Sequence, residues 1–162
     1  MFARYYVYVE HPYDEVLRAL RTSHWAACLD GDGGDELLAR AGIRPGQLPI
    51  YKHTRVRPGR PVTEPTRLLT VVPLSWQATG GPPLFPDMEG DLEIEPFGPV
   101  RSQLTLSVTY GSPTGALGDA IDRVALHRLA DAAVERFVHR LAATVAQMLA
   151  EPAPHPPAKS TP

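Results

Sequence analysis

The sequence predicts an α+β protein in which one long C-terminal helix lies along an antiparallel sheet. Two observations support this: residues 126–149 have the periodicity of an amphipathic helix, and residues 88–96 and 101–110 alternate apolar and polar side chains. At about 100° per residue, one helix stripe collects Leu126, Leu129, Ala130, Ala133, Val134, Phe137, Leu141, Val145 and Met148. Such a stripe is buried against another element, and the apolar face of a sheet can receive it.

Length and composition limit the class of protein. The 162 residues fit one domain, predicted for residues 1–150. A formal charge of -2 argues against a general nucleic-acid binder. The N-terminus has no basic segment before an apolar run, and no apolar stretch approaches the ~20 residues of a membrane span. We therefore expect a cytoplasmic protein without a signal peptide, and a disordered tail at 151–162, where 12 residues contain five prolines.

The first elements are a strand and a helix. Residues 3–10 are aromatic and β-branched, which predicts a strand, and His11-Pro12 ends it. A helix follows, because proline is tolerated in a first turn and Asp14 and Glu15 suit the positive end. Its apolar side consists of Val16, Leu17 and Leu20. Residues 23–29 form a second short helix or continue the first, and 30–36 form an acidic glycine-rich loop.

A meander of strands comes next. Strands are predicted at 36–42, 48–57 and 67–76, with Pro58-Gly59 as a turn between the last two. The segments 88–96 and 101–110 then form an antiparallel hairpin around a Pro/Gly loop. Its apolar face consists of Met88, Gly90, Leu92, Ile94, Leu104, Leu106, Val108 and Tyr110.

The segment before the long helix leaves two interpretations open. Leu117, Ile121 and Val124 lie about half a turn from the apolar stripe, on which Asp119, Asp122 and Arg123 fall instead. Either the helix breaks near Val124, or it continues and turns those charges inward. In the second case a carboxylate facing an apolar cavity would have a raised pKa and could act as a general acid.

The chain resembles the START-like (SRPBCC, polyketide cyclase/dehydrase-type) superfamily. The resemblance rests on the opening Tyr-Val-Tyr-Val-Glu-His-Pro-Tyr-Asp-Glu-Val and on the stretch from Met88 through Gly118, and it covers about residues 3–149. It implies the helix-grip fold, in which a curved antiparallel sheet grips the long helix around an apolar cavity. Members bind or transform lipids, polyketides and other hydrophobic molecules, and some bind proteins.

This resemblance and the inward positions together predict a ligand-binding set. The predicted ligand-binding residues are Tyr51, Trp76, Met88, Leu92, Leu106, Tyr110, Leu129, Ala133 and Phe137. Gly90 and Ala133 are small and are expected to leave room, whereas Trp76 and Tyr110 supply polar groups that orient a ligand. A fully packed core built from the same residues is the alternative.

No metal ion and no cofactor is predicted, and Asp119, Asp122 and Arg123 of a continuous helix are the only acid–base candidates. The carboxylates of Glu89, Asp91, Glu93 and Glu95 spread over ~20 Å of strand, too far for one ion. They are expected to pair with Lys52, Arg55, Arg57, Arg60, Arg67 and Arg101. The loop 30–41 lacks the glycine and glutamate of a calcium loop. Cys28 is the only cysteine and is expected to be a core residue, and none of the six histidines forms a ligand pair or a triad.

The predicted function is binding of a hydrophobic or aromatic small molecule, extending to its transport, by a monomer or homodimer. One alternative is an aromatase/cyclase-like enzyme in the same cavity, which needs at least two ionisable side chains there. The other is a protein-interaction module with a filled core. The residues that line the largest internal void distinguish the three.

Overall fold

The computed structural model describes residues 2–22, 25–26, 53–79, 88–109 and 123–150. The segments at 27–52, 80–87 and 110–122 and the tail at 151–162 lie outside this description. The elements are β1 (Phe2–Val9), α1 (Tyr13–Leu20), β2 (His53–Pro58), β3 (Val62–Glu64), β4 (Leu69–Thr79), β5 (Met88–Pro96), β6 (Ser102–Thr109) and α2 (Arg123–Ala150). No helix in the described ranges is long and apolar enough to cross a membrane.

The described strands form one antiparallel sheet in the order β1-β6-β5-β4-β2, with β3 paired to β4. The predicted hairpin is confirmed, with β5 at the predicted bounds and β6 one residue shorter at each end. Strand β3 was not predicted. Its three residues are all exposed, so they show no alternation, and the turn into β4 places Leu68 at a φ of 52°.

Residues in register form rows that cross the sheet on its inner face, and most of their described side chains are apolar. The rows, from one end to the other, are Val56–Trp76–Met88, then Pro58–Leu74–Gly90–Val108–Ala3, then Val72–Leu92–Leu106–Tyr5, then Thr70–Ile94–Leu104–Val7, and finally Pro96–Ser102–Val9. Leu92, Ile94, Leu104 and Leu106 have no solvent exposure. These rows form the surface on which the long helix packs.

Helix α2 covers the inner face and packs against β1, β6 and α1. Its buried residues are Val134, Val138, Leu141 and Val145, with Ala133, Phe137, Ala142, Met148 and Leu149 at the sides. The predicted apolar stripe does not include Val138, because it counts the small side chains at 130 and 133 equally with larger apolar ones. The described helix begins at Arg123 and runs through Val124, and the residues before it are outside the description.

Helix α1 closes one end of the inner face through polar contacts. The Tyr13 hydroxyl lies 2.6 Å from the Thr70 hydroxyl, which lies 2.8 Å from the Thr63 hydroxyl. The Ser102 hydroxyl donates to the carbonyl of His11 at 2.8 Å. We call this region, with the last two rows of the inner face, the α1 end. The opposite region, with the first two rows, is the Trp76 end.

Candidate functional site

The Trp76 end presents large apolar side chains where β4, β5 and β2 meet. Trp76 pairs in register with Val56 on one side and with Met88 on the other. Trp76 and Val56 are each 6% exposed. The undescribed segments 80–87 and 110–122 continue from Thr79 of β4 and from Thr109 of β6, both at this end of the sheet.

Trp76 and Phe137 join the sheet to the helix. Their ring centroids lie 5.3 Å apart with an interplanar angle of 75°, which is an edge-to-face contact. Phe137 remains partly exposed although it packs against the core, and so does Ala133, one turn earlier on the helix. The pair therefore lies at the border of the packed interior, where an apolar molecule can reach an aromatic edge.

The indole N–H of Trp76 has no hydrogen-bond partner among the described residues. The other tryptophan differs, because the Trp25 indole N–H donates to the carbonyl of Leu20 at 3.0 Å. No buried side-chain nitrogen or oxygen in the described ranges lacks a partner. An indole nitrogen can only donate, and within the described part of the chain the donor of Trp76 is not used.

The remaining predicted ligand-binding residues are distributed differently. Leu92 and Leu106 face each other across β5 and β6 with no exposed surface, and Leu92 lies level with Val72, roughly 13 Å along β4 from Trp76. Met88 and Leu129 occupy β5 and α2, and their side chains are not described. Tyr51 and Tyr110 lie outside the described residues.

The prediction that Gly90 leaves room for a ligand is wrong. A Cβ at this position would lie 2.4 Å from the carbonyl oxygen of Ser107 and 3.1 Å from Cγ2 of Val108. The space beside Gly90 is therefore filled by β6. Composition predicts that a small residue creates space, but here the small residue allows two strands to approach closely.

A polar contact that the sequence analysis missed lies between β1 and α2. The Tyr5 hydroxyl donates to Oε1 of Glu135 at 3.3 Å, and the Tyr5 ring centroid lies 5.7 Å from that of His139. Burial, and then the adjacent Glu135 carboxylate, raises the pKa of Tyr5 above its usual 10.0. The phenol thus stays protonated and acts as a donor. The only sequence signal was the inward position of Tyr5, because Glu135 lies at the edge of the polar helix side.

The acid–base candidates of the predicted helix junction are not brought into a site. Asp119 and Asp122 lie outside the described residues, and Arg123 is the first residue of α2, with a side chain that is not described. Cys28 is likewise outside the description. In the described ranges, no group of three or more His, Cys, Asp or Glu side chains has the arrangement of a metal site.

Two of the four carboxylates on the outer face of β5, Glu93 and Glu95, have partners in the described residues, and neither partner is a predicted one. Glu93 forms an ion pair with Arg4 of β1 at 2.9 Å, and Glu95 accepts from Gln103 at 3.0 Å. Arg101, a predicted partner, instead contacts Glu10 at 2.8 Å. The prediction could not include Arg4, because the pairing of β1 with β6 is set by topology.

An open depression of about 740 Å³ lies on the outer face of β2, β4, β5 and β6, where Pro58, Leu74 and Gly90 of the second row also contribute to its lining. Its charged lining residues are Arg57, Glu89 and Asp91, beside Ser75, Ser107 and Thr109. A charged, open depression does not have the chemistry of a hydrophobic ligand site.

Comparison with solved structures confirms the fold. A conserved protein from Geobacillus kaustophilus is 16% identical with a TM-score of 0.56, over 93% of this chain and 95% of that one. TTHA0849 from Thermus thermophilus is 15% identical with a TM-score of 0.51, over 91% of this chain and 99% of that one. The di-domain ARO/CYC BexL from the BE-7585A biosynthetic pathway is 16% identical with a TM-score of 0.51, over 93% of this chain and 48% of that one.

The chain therefore has the predicted helix-grip fold of START-like proteins. Comparisons with protein-family models and with curated proteins find no match. Identities this low establish the fold alone, and one fold supports many activities. Function must come from the geometry of the site.

Proposed function

We propose that this protein binds a hydrophobic or aromatic small molecule between the sheet and α2, at the Trp76 end. The observation that carries the proposal is the Trp76–Phe137 pair, an edge-to-face contact at 5.3 Å in which Phe137 remains partly exposed. The indole N–H beside it has no partner among the described residues. Ligand sites combine an apolar lining with a few such polar groups, which fix orientation.

The described lining indicates what kind of molecule fits. The described inner side chains of the first two rows are Val56, Trp76, Pro58, Leu74, Val108 and Ala3, and none of them carries a charge. A charged group placed against them would lose its hydration without a partner. The preferred ligand is therefore neutral at its buried part, has an apolar or aromatic ring for Phe137, and carries an acceptor for the indole N–H.

A dye titration tests for the pocket. We expect 1-anilinonaphthalene-8-sulfonate to bind the full-length protein saturably at one site, with an increase in dye emission. Ala133→Phe places a large ring one turn from Phe137, and we expect it to weaken dye binding at least tenfold. Ala142→Phe is the matched control, because Ala142 is also a half-buried alanine of α2 that packs against the core. Equal dye binding by the two variants would refute the proposal.

The indole N–H is tested separately. Trp76→Phe keeps an aromatic ring but removes the donor, so a ligand with an acceptor should bind about 5- to 10-fold more weakly, the loss of one hydrogen bond of about 1 kcal/mol. A ligand without an acceptor should bind nearly unchanged. If the binding of both ligands weakens by the same factor, Trp76 contributes only apolar contact and not a hydrogen bond.

Native mass spectrometry identifies the ligand class. We expect the intact protein to carry an additional mass that denaturing extraction releases as a hydrophobic compound, and Ala133→Phe to lose that mass. An additional mass retained by Ala133→Phe but lost from Ala142→Phe would move the site away from the Trp76 end and contradict the proposal.

A cyclase-like enzyme using the same cavity is the second candidate, and the contact between Tyr5 and Glu135 favours it. These are two ionisable side chains at the β1–α2 contact, where the phenol stays protonated and the carboxylate accepts its proton in a hydrogen bond. Tyr5→Phe and Glu135→Gln separate the two functions. A binding protein retains its affinity for the extracted compound in both variants, whereas an enzyme accumulates unconverted substrate in them.

A further inference from the structure

The outer face of the sheet carries an exposed aromatic patch that the proposed binding site does not use. It consists of Tyr6 and Tyr8 on β1 and Phe97 in the loop between β5 and β6, which are 56%, 40% and 49% exposed. Exposed aromatic side chains that cluster are typical of interaction surfaces. We call these three residues the aromatic patch.

The patch is ordered by contacts among its members and its neighbours. The Tyr6 and Tyr8 ring centroids lie 5.6 Å apart at 66°, and Tyr8 and Phe97 lie 4.6 Å apart at 39°. The guanidinium of Arg101 lies 5.6 Å from the Tyr8 centroid, and Glu10 holds it at 2.8 Å. The backbone N–H of Phe97 donates to the carbonyl of Arg101 at 2.8 Å, which positions the loop.

Surfaces lined by aromatic rings are the surfaces that polyproline II segments bind. Such a helix is already extended and loses little entropy on binding, while its proline rings pack between aromatic rings. A tyrosine hydroxyl at the rim can donate to the free carbonyls of the segment. The chemistry of the patch therefore matches a proline-rich peptide.

The chain itself supplies such a peptide. Residues 151–162, Glu-Pro-Ala-Pro-His-Pro-Pro-Ala-Lys-Ser-Thr-Pro, follow directly after Ala150 at the end of α2. We propose that this proline-rich segment docks on the aromatic patch of its own chain. The inference rests on the outer face and is independent of the proposed ligand site on the inner face.

The segment is long enough to reach the patch. Twelve residues of polyproline II extend roughly 37 Å. The whole of β1 is about 26 Å long, and packed layers lie about 10 Å apart. Helix α2 packs on β1, which pairs with β6 alone among the described strands, so the segment has only this strand to pass. Its Lys159 can then approach Glu10, a 66% exposed carboxylate beside the patch.

Paramagnetic labelling of the full-length chain tests the proposal. Cys28→Ser with Lys159→Cys allows one nitroxide at the end of the segment. We expect strong broadening of the backbone amides of Tyr6 to Glu10 and of Phe97, and none at Val62 and Leu68, which are also exposed and lie near the opposite edge of the sheet. Tyr8→Ala in the labelled chain should remove most of the broadening, whereas Leu68→Ala should leave it unchanged.

Each other outcome contradicts docking within one chain. Absence of broadening at the patch, or equal broadening over all exposed amides, would show that the segment does not bind there. If the amides of copies without a nitroxide are broadened when nitroxide-labelled copies are added, the segment binds the patch of a second copy. An independent measurement replaces Pro154, Pro156 and Pro157 by glycine. The amide resonances of Tyr8 and Phe97 should then shift toward the positions that they have in Tyr6→Ala. Resonances that do not move would overturn the proposal.

Discussion

The two tryptophans of this chain occupy similar depths and have different surroundings. Trp25 is 1% exposed, and its indole N–H donates to the carbonyl of Leu20. Trp76 is 6% exposed, and its N–H has no partner among the described residues. A buried donor normally has a partner inside the protein. Within the described residues, Trp25 has such a partner and Trp76 has none, which is the difference on which the proposed role of Trp76 in ligand binding rests.

The same difference extends over the two ends of the inner face. At the α1 end, the Tyr13 hydroxyl forms a hydrogen bond with the Thr70 hydroxyl, and the Ser102 hydroxyl donates to the backbone carbonyl of His11. Thr70, Ile94 and Leu104 have no exposed surface. At the Trp76 end, the side chains are apolar and Phe137 is still partly exposed. The α1 end is therefore closed by polar contacts and full burial, whereas the Trp76 end, where we propose that a ligand binds, keeps a partly exposed aromatic ring.

The largest expected effect is loss of stability at a fully buried position of α2. Leu141 is fully buried, and Leu141→Ala should lower the free energy of unfolding by about 3 kcal/mol, because it removes apolar contacts and leaves a cavity. Phe137→Ala should cost about half of that, since Phe137 is only partly buried, and it should also weaken dye binding. Urea denaturation measures the first quantity and the dye titration the second.

The proposed difference between the two ends of the inner face is contradicted if Phe137 behaves as an ordinary core residue. A Phe137→Ala variant that loses as much stability as Leu141→Ala, with unchanged dye affinity, would make the Trp76 end an ordinary core. Ala143→Gly on the exposed side of α2 controls for helix propensity, and it should cost about 1 kcal/mol without any change in dye binding.

The second prediction concerns the strand contact beside Trp76. Gly90→Ala should lower the free energy of unfolding by about 2 kcal/mol, because the added Cβ would meet the Ser107 carbonyl oxygen at 2.4 Å. Gly98→Ala is the comparison: its Cβ would meet nothing within 4 Å, but its φ of 87° disfavours any side chain, so we expect about 1 kcal/mol. If Gly90→Ala costs less than Gly98→Ala in urea denaturation, β6 does not fill that space.

Much of the fold could be predicted from periodicity, because burial of one face imposes it. The β5–β6 hairpin and the long helix each place apolar residues at the period of their backbone, so their bounds are within a few residues. Strand β3 has no such signal, since all three of its residues face solvent. Its pairing with β4 depends on a turn whose Leu68 has a positive φ, which no pattern of leucines indicates.

The site was predicted less completely, for a geometrical reason. Trp76 and Phe137 were each placed on an inward face, but their contact depends on where α2 crosses β4, which periodicity does not contain. The Tyr5–Glu135 contact joins residues 130 positions apart. Gly90 was assigned to the correct face, yet only the register of β5 with β6 shows that its space is occupied.

The third prediction compares a hydroxyl at one end with an indole at the other. Tyr13→Phe should lower the free energy of unfolding by about 1 kcal/mol, the usual net loss for one hydrogen bond, because Thr70 retains Thr63 as a partner. Dye affinity should not change. Trp76→Phe should show the opposite pattern: ligand binding should change clearly, and the free energy of unfolding should change less. Equal effects of both variants on binding would mean that the two ends are coupled.

The smallest predicted effect locates the border between the two ends. Tyr5 lies in the middle row and donates to Glu135, and its pKa in the folded protein is raised above 10.0 by burial and by that carboxylate. The stability from protonated Tyr5 is therefore complete below pH 10 and is lost as pH rises through the folded pKa, because the unfolded chain ionises first. The difference in urea midpoint between the parent protein and Tyr5→Phe should be constant from about pH 8 to 10 and narrow above it. A difference that stays constant up to about pH 11 would remove Glu135 from the contact, and the border of the packed region would then lie closer to the α1 end.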